Sequence, residues 1–96
     1  MRKILAVCGF GVGSSLLLKL SIDKALENLE IDDETIITEN TDLILARGTP
    51  CDVIFTSVAF AESLAGVSVP IYTVNSYMNV AEVTEVVQKY LEDHPL

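Results

Sequence analysis

Apolar and polar residues come in blocks along this chain, and the period changes from block to block. Lys3 to Val7 reads KILAV, a short unbroken apolar run of the kind a strand buried on both faces shows. Leu18, Ile22, Ala25, Leu26 and Leu29 then recur at three- and four-residue steps. They form one stripe of a helix that Ser14 can cap and that runs to about Leu29. Thr35 to Thr38, TIIT, is a second strand. Thr41 or Asp42 caps a short helix, Leu43 to Ala46, stopped by Gly48 and Pro50. Asp52 to Thr56, DVIFT, is a third strand, and a helix from about Ala59 to Leu64 ends at Gly66. Val69 to Val74 is a fourth strand, with Pro70 at its start, where a missing N–H is tolerated. A last helix from about Asn79 to Glu92 turns Val83, Val86, Val87, Tyr90 and Leu91 inward.

The pattern is β-α repeated four times, with no internal repeat, linker or low-complexity segment. Such alternation predicts one α/β domain over residues 1–96. Its core is a four-stranded parallel sheet with helices on both faces, in the flavodoxin-like or Rossmann-like order 2-1-3-4. Ligands of such folds sit beyond the carboxyl ends of the strands, near the switch point beside the first strand. Cys8 is expected there, as the first residue beyond that strand with its thiol open to the site. Cys51 precedes the third strand and so belongs at the other end. The two should not form a disulfide, and Cys51 is read as a structural thiol.

The stretch AVCGFGVGSS, Ala6 to Ser15, carries the chemistry. Glycines at alternate positions let a backbone curl with its N–H groups inward, as an anion-binding nest. The loop runs into a helix N-terminus, where unpaired N–H groups and the helix dipole also favour negative charge. Gly9, Phe10, Gly11, Val12, Gly13, Ser14 and Ser15 are therefore the expected phosphate-binding residues, with Phe10 exposed at the tip. Cys8 lies in the same field. A thiol with an ordinary pKa of about 8.5 is lowered by a helix N-terminus, and the thiolate is a nucleophile. The combination predicts a loop that holds a phosphoryl group while Cys8 attacks its phosphorus.

Composition narrows the setting. Half of the 96 residues are apolar, enough for one modest core, and the formal charge is −8. That charge argues against nucleic acid, whose binders show a basic face. No acidic residue precedes Asp23, so the glycine stretch is free of repelling carboxylates. No apolar run is long enough to span a membrane, and the N-terminal run is too short for a signal peptide, so a cytoplasmic location is expected. No H-E-x-x-H, C-x-x-C or acidic cluster suggests a metal, and no cofactor is expected.

Other glycine loops fit less well. A dinucleotide fingerprint needs its third glycine one residue later than Gly13, and a nucleotide P-loop needs a lysine where Ser14 stands. A low-molecular-weight tyrosine phosphatase has a similar fold and places C-x5-R-S/T after its first strand. Counting from Cys8 brings Ser14 to the arginine position. The chain's two arginines, Arg2 and Arg47, cannot stand there, and no proline follows an aspartate to supply that family's general acid. A cysteine-dependent phosphatase and a non-catalytic anion-binding module are the alternatives to a phosphoryl carrier.

The segment ILAVCGFGVGSSLLLK, Ile4 to Lys19, resembles the N-terminus of the IIB component of the bacterial phosphotransferase system (PTS), in the lactose/galactitol/ascorbate group. Its C-G-x-G-x-G-S-S core followed by Lys19 is most similar to the ascorbate type. Beyond Lys19 the likeness is in length and element order. The resemblance implies that Cys8 accepts phosphate from a phosphohistidine of the IIA component. It then passes that phosphate to a carbohydrate, ascorbate- or galactitol-like, carried by the membrane component IIC. It also implies a cytoplasmic phosphotransferase subunit, active only with IIA and IIC, with Gly9 to Ser15 as its phosphate loop. A carrier with changing partners is expected to be a monomer.

Further residues border the expected site. Leu16, Leu17 and Leu20 project away from the helix stripe, close to the loop, where they form an apolar collar for IIA and IIC or are covered by neighbouring loops or helices. Thr56, Ser57 and Asn75, at the ends of the third and fourth strands, should rim the site, with Tyr77 close by and Ser57 capping the next helix. His94, the only histidine, is expected to be solvated in the tail.

Overall fold

The structure is a computed structural model that describes residues 2–9, 13–32 and 34–96. Four strands, β1 (Arg2–Cys8), β2 (Ile36–Asp42), β3 (Val53–Ser57) and β4 (Ile71–Val74), form one parallel sheet in the order β2-β1-β3-β4. Between and after them run α1 (Gly13–Asn28), α2 (Leu43–Ala46), α3 (Val58–Ala61) with a 3-10 turn at Glu62–Leu64, and α4 (Val80–Asp93). The predicted topology is the one observed.

The two faces of the sheet follow from side-chain alternation. Ile4 and Ala6 of β1 and Val53 and Phe55 of β3 face α1 and α4, whose Leu18, Ile22, Ala25, Leu26, Val83, Val87 and Tyr90 complete the larger core. Leu5, Val7 and Ile54 face the other way, onto Ala46 and Leu64. Both predicted helix stripes are inward, with Leu29, Val86 and Leu91 only partly buried. In the larger core, Tyr90 meets Phe55 and Tyr72 edge-on, at centroid distances of 6.2 and 5.4 Å.

β4 begins at Ile71, past Pro70, and the helix expected to Leu64 gives way to a 3-10 turn at Glu62. Three further boundaries, near the site, also differ from expectation. β1 includes Cys8, paired with Asp42 of β2, so the cysteine ends the strand instead of following it. β2 extends four residues past Thr38, because β1 offers a ladder from Arg2 to Cys8 and an edge strand can carry Glu39 and Asn40 at little cost. Helix α1 already contains Gly13, so Ser14 is an exposed residue of its first turn and not its cap. Asp42 is the cap of α2, its Oδ1 accepting from Leu45 N at 2.9 Å.

Helix α1 ends in a Schellman arrangement. Ile31 N donates to Leu26 O and Glu30 N to Glu27 O, with Glu30 at φ +59°. The tail is exposed, as expected, but it is tethered. Arg2 Nη1 donates to His94 O at 2.5 Å and Nη2 to Pro95 O at 3.0 Å, and the His94 ring lies against Tyr90. Arg2 is the first residue of β1, so this clasp and His94 are at the amino end of the sheet, far from Cys8.

Candidate active site

Cys8 is the last residue of β1 at the carboxyl edge of the sheet. Its even position puts its side chain on the face shared by Ile4, Ala6 and α1. The peptide group leading into it is pinned. Val7 O accepts Thr56 Oγ1 at 2.9 Å and Tyr77 Oη at 3.3 Å. Tyr77 is held in turn, because Ser21 Oγ of α1 donates to its carbonyl at 2.6 Å. Thr56 and Tyr77, both expected near the site, thus act on the backbone at Cys8.

The N-terminal end of α1 is tied to the same edge. Ser15 is fully buried, and its Oγ accepts from Asn40 Nδ2 of β2 at 3.2 Å. One turn further on, Lys19 Nζ donates to Asp23 Oδ2 at 2.8 Å, and Thr38 Oγ1 donates to Asp23 Oδ1. Lys19 is therefore engaged with a carboxylate along the α1–β2 seam. Gly13 and Ser14 are exposed, and a methyl on Gly13 would meet no atom within 4 Å. Phe10, Gly11 and Val12, three of the expected phosphate-binding residues, lie outside the described residues.

Gly9 is buried, and a β-carbon there would stand 2.4 Å from ring carbons of Phe60. A side chain here would have to displace an aromatic ring, and that ring comes from α3. The thiol differs from expectation in one respect: Cys8 is only 1 % exposed. It completes β1 on the face covered by α1, and burial follows from that position.

Asn75 is exposed at the end of β4. Its N–H and that of Ser76 donate to Glu82 Oε2 and Oε1 at 2.9 and 3.0 Å. These two bonds hold the Glu82 carboxyl below its ordinary pKa. Glu82 N in turn donates to Asn79 Oδ1, the cap of α4. The Ser57 hydroxyl makes no capping bond to α3. Its Oγ is buried and has no hydrogen-bond partner among the described residues.

Neither arginine reaches the site. Arg2 is in the clasp at the far end, and Arg47 Nη2 donates to Ser63 O and Ala65 O. The positively charged fork that a cysteine phosphatase places against its substrate phosphate is not supplied by these side chains. Cys51, beside the amino end of β3, is about as far along the sheet from Cys8 as a strand allows, and no disulfide joins the two. Burial and the neighbouring Asp52 carboxylate raise its pKa, which suits a structural thiol.

A buried cysteine thus ends β1, an anchored helix N-terminus stands beside it, and both arginines are engaged elsewhere. Residues 3–89 match the sequence model of the family described as "PTS system, Lactose/Cellobiose specific IIB subunit". The chain belongs to that family. As a PTS IIB protein it carries phosphoryl groups in sugar transport, as a phosphotransferase working with IIA and IIC components. Among solved structures it is similar to the lactose-specific IIB component domain of the PTS from Streptococcus pneumoniae. The TM-score is 0.59 at 16 % identity, over 97 % of each chain. At that identity the likeness bears on the fold, and it agrees with the order of strands described above. A search of curated protein sequences gave no significant match. Among the described residues, no helix of this IIB protein is long and apolar enough to cross a membrane.

Asn40, Asp42 and Phe60 were not legible as site residues. The first two occupy a polar segment without strand periodicity, and Phe60 sits in a helix too short to show a face. The one available signal was Asn40 and Asp42 at a two-residue spacing with Thr38, which would put all three on one face of a longer strand.

Proposed function

We propose that Cys8 is the residue that carries the phosphoryl group, and that Gly9 to Ser15 hold it. The supporting observation is position: Cys8 ends the strand beside the switch point, and the backbone before it is fixed by Thr56 and Tyr77. In the first half-reaction the Cys8 sulfur, having given up its proton, attacks the phosphorus of a IIA phosphohistidine. An S–P bond forms, the N–P bond breaks, and its electron pair stays on the imidazole nitrogen, which takes up a proton. In the second, a sugar hydroxyl oxygen attacks the same phosphorus, the S–P bond breaks, and the hydroxyl proton leaves as the thiol is restored. Positioning and backbone N–H groups carry both steps, because both bonds are reactive and transfer runs near balance.

The partners meet an apolar rim. Leu16, Leu17 and Leu20 are each 43 to 52 % exposed in the first two turns of α1. Ile44, Val58 and Met78 are exposed just after β2, β3 and β4. All stand around the carboxyl edge that holds Cys8, which suits a surface that binds IIA and IIC in turn. Burial of Cys8 adds a condition: the sulfur becomes reachable when a docked partner displaces its cover. The carrier acts as a cytoplasmic monomer. The loop, read from Ile4 to Lys19, favours an ascorbate- or galactitol-like carbohydrate, with IIC making the final choice.

The test is intact mass after incubation with phosphorylated IIA components of the lactose/cellobiose and the ascorbate/galactitol types. The protein should gain one phosphoryl group, and Cys8→Ser should gain none. A phosphoryl group on the serine variant, or none on the native chain, overturns the reading. Turnover of p-nitrophenyl phosphate should be negligible; steady hydrolysis would favour the phosphatase. Iodoacetamide should label Cys8 slowly in the isolated chain and faster when IIA is added.

A further inference from the structure

Ser57 is the last residue of β3, the strand that neighbours β1 and its terminal Cys8, and its hydroxyl is orphaned among the described residues. Strands β1 and β3 pair in the register Ile4↔Val53, Leu5↔Ile54, Ala6↔Phe55. Continuing that register by two residues sets Ser57 level with Cys8, one strand spacing away, roughly 5 Å. The backbone ladder ends at Ala6↔Phe55, and the bond from Thr56 Oγ1 to Val7 O links the two strands one residue further on. Cys8 and Ser57 also share a face, since Ile4 and Ala6 on one strand and Val53 and Phe55 on the other all belong to the core under α1. The Ser57 Oγ is buried and has no hydrogen-bond partner among the described residues. It occupies the cap position of α3 but does not cap it.

A buried hydroxyl without a partner is costly to keep, and a partner that arrives only in one state of the protein accounts for it. Resting on the assignment of Cys8 as the carrier, we infer that Ser57 is a catalytic residue, its Oγ–H donating to an oxygen of the phosphoryl group on the Cys8 sulfur. The hydroxyl is a neutral donor, while the charged donors Arg2, Arg47 and Lys19 are all engaged elsewhere. The bond forms on phosphorylation and is lost when the group leaves, so it stabilises the charged carrier specifically.

The test compares Ser57→Ala and Ser57→Thr in the full chain, with phosphorylated IIA as donor. Two quantities are read: the equilibrium fraction of phosphorylated protein by intact mass, and the thermal midpoint of the unphosphorylated protein. Ser57→Ala should lower the ratio of phosphorylated to unphosphorylated protein about tenfold, as expected for a hydrogen bond to a charged group. Its unphosphorylated form should melt no lower than the native chain, because the substitution removes an unsatisfied buried polar atom. Ser57→Thr keeps the hydroxyl and should restore most of the ratio. An unchanged ratio in Ser57→Ala overturns the inference while leaving Cys8 as carrier. A lower midpoint with an unchanged ratio assigns Ser57 to folding and also overturns it, as does a Thr variant no better than Ala. If the native chain takes up no phosphoryl group, the assignment of Cys8 fails, and this inference fails with it.

Discussion

Gly9 and Phe60 show how a single position can be decided from outside its own element. A β-carbon on residue 9 would lie 2.4 Å from the Phe60 ring, well inside any normal contact. Its backbone is not in the left-handed region, where among the described glycines only Gly66 stands. Steric approach, not conformation, is thus what glycine provides. Gly9→Ala should destabilise the protein by about 1–3 kcal/mol through overpacking. In a Phe60→Ala background the same change should cost little. Chemical denaturation of the four proteins of this cycle measures the coupling, and an equal cost in both backgrounds would exclude the ring as its cause.

At the scale of elements, two carboxylates at helix ends have opposite effects. Glu30 occupies the C′ position of α1 at φ +59°, which a side chain tolerates poorly, and its negative charge stands at the negative end of the helix dipole. Glu30→Gly should stabilise the protein by about 1 kcal/mol, read as a higher denaturation midpoint. Glu82 is well placed in the first turn of α4. It accepts the N–H groups of Asn75 and Ser76 and so ties the segment after β4 to the helix. Those two bonds hold its carboxyl below the ordinary glutamate pKa in the folded protein. The stability it contributes is therefore fully present above its unfolded pKa and is lost as pH falls through the lower folded value. Glu82→Gln should lower the thermal midpoint at neutral pH, and the gap to the native protein should narrow on acidification below the ordinary glutamate range. A gap that is constant with pH would mean that charge plays no part in the tie.

For the whole molecule, apolar surface and net charge are arranged unequally. The exposed leucines of α1, with Ile44, Val58 and Met78, stand around the carboxyl edge of the sheet, while Arg2, His94 and Pro95 close the amino end. A charge placed within the apolar rim should leave folding intact, because Leu17 makes little use of the core. Leu17→Asp should keep the native thermal midpoint within about 0.5 kcal/mol of stability. It should slow phosphoryl uptake from IIA roughly tenfold, as the loss of one well-packed interface leucine would. A normal rate in a folded variant would move the docking surface elsewhere.

The β-α order, the parallel sheet, both inward helix stripes and the place of Cys8 at the carboxyl edge of the sheet were all determined by local pattern. Each depends on residues close together in the chain: apolar runs, three- and four-residue periodicity, glycine, proline and capping side chains. The tertiary structure alone decided that Thr38 to Asp42 is strand, because only the ladder offered by β1 makes extended backbone worthwhile for so polar a segment. It alone decided that the cysteine is buried, that the Ser57 hydroxyl has no hydrogen-bond partner among the described residues, and that Arg2 clasps the tail at the other end of the chain. Those features arise between groups distant in sequence, where neither periodicity nor propensity carries a signal.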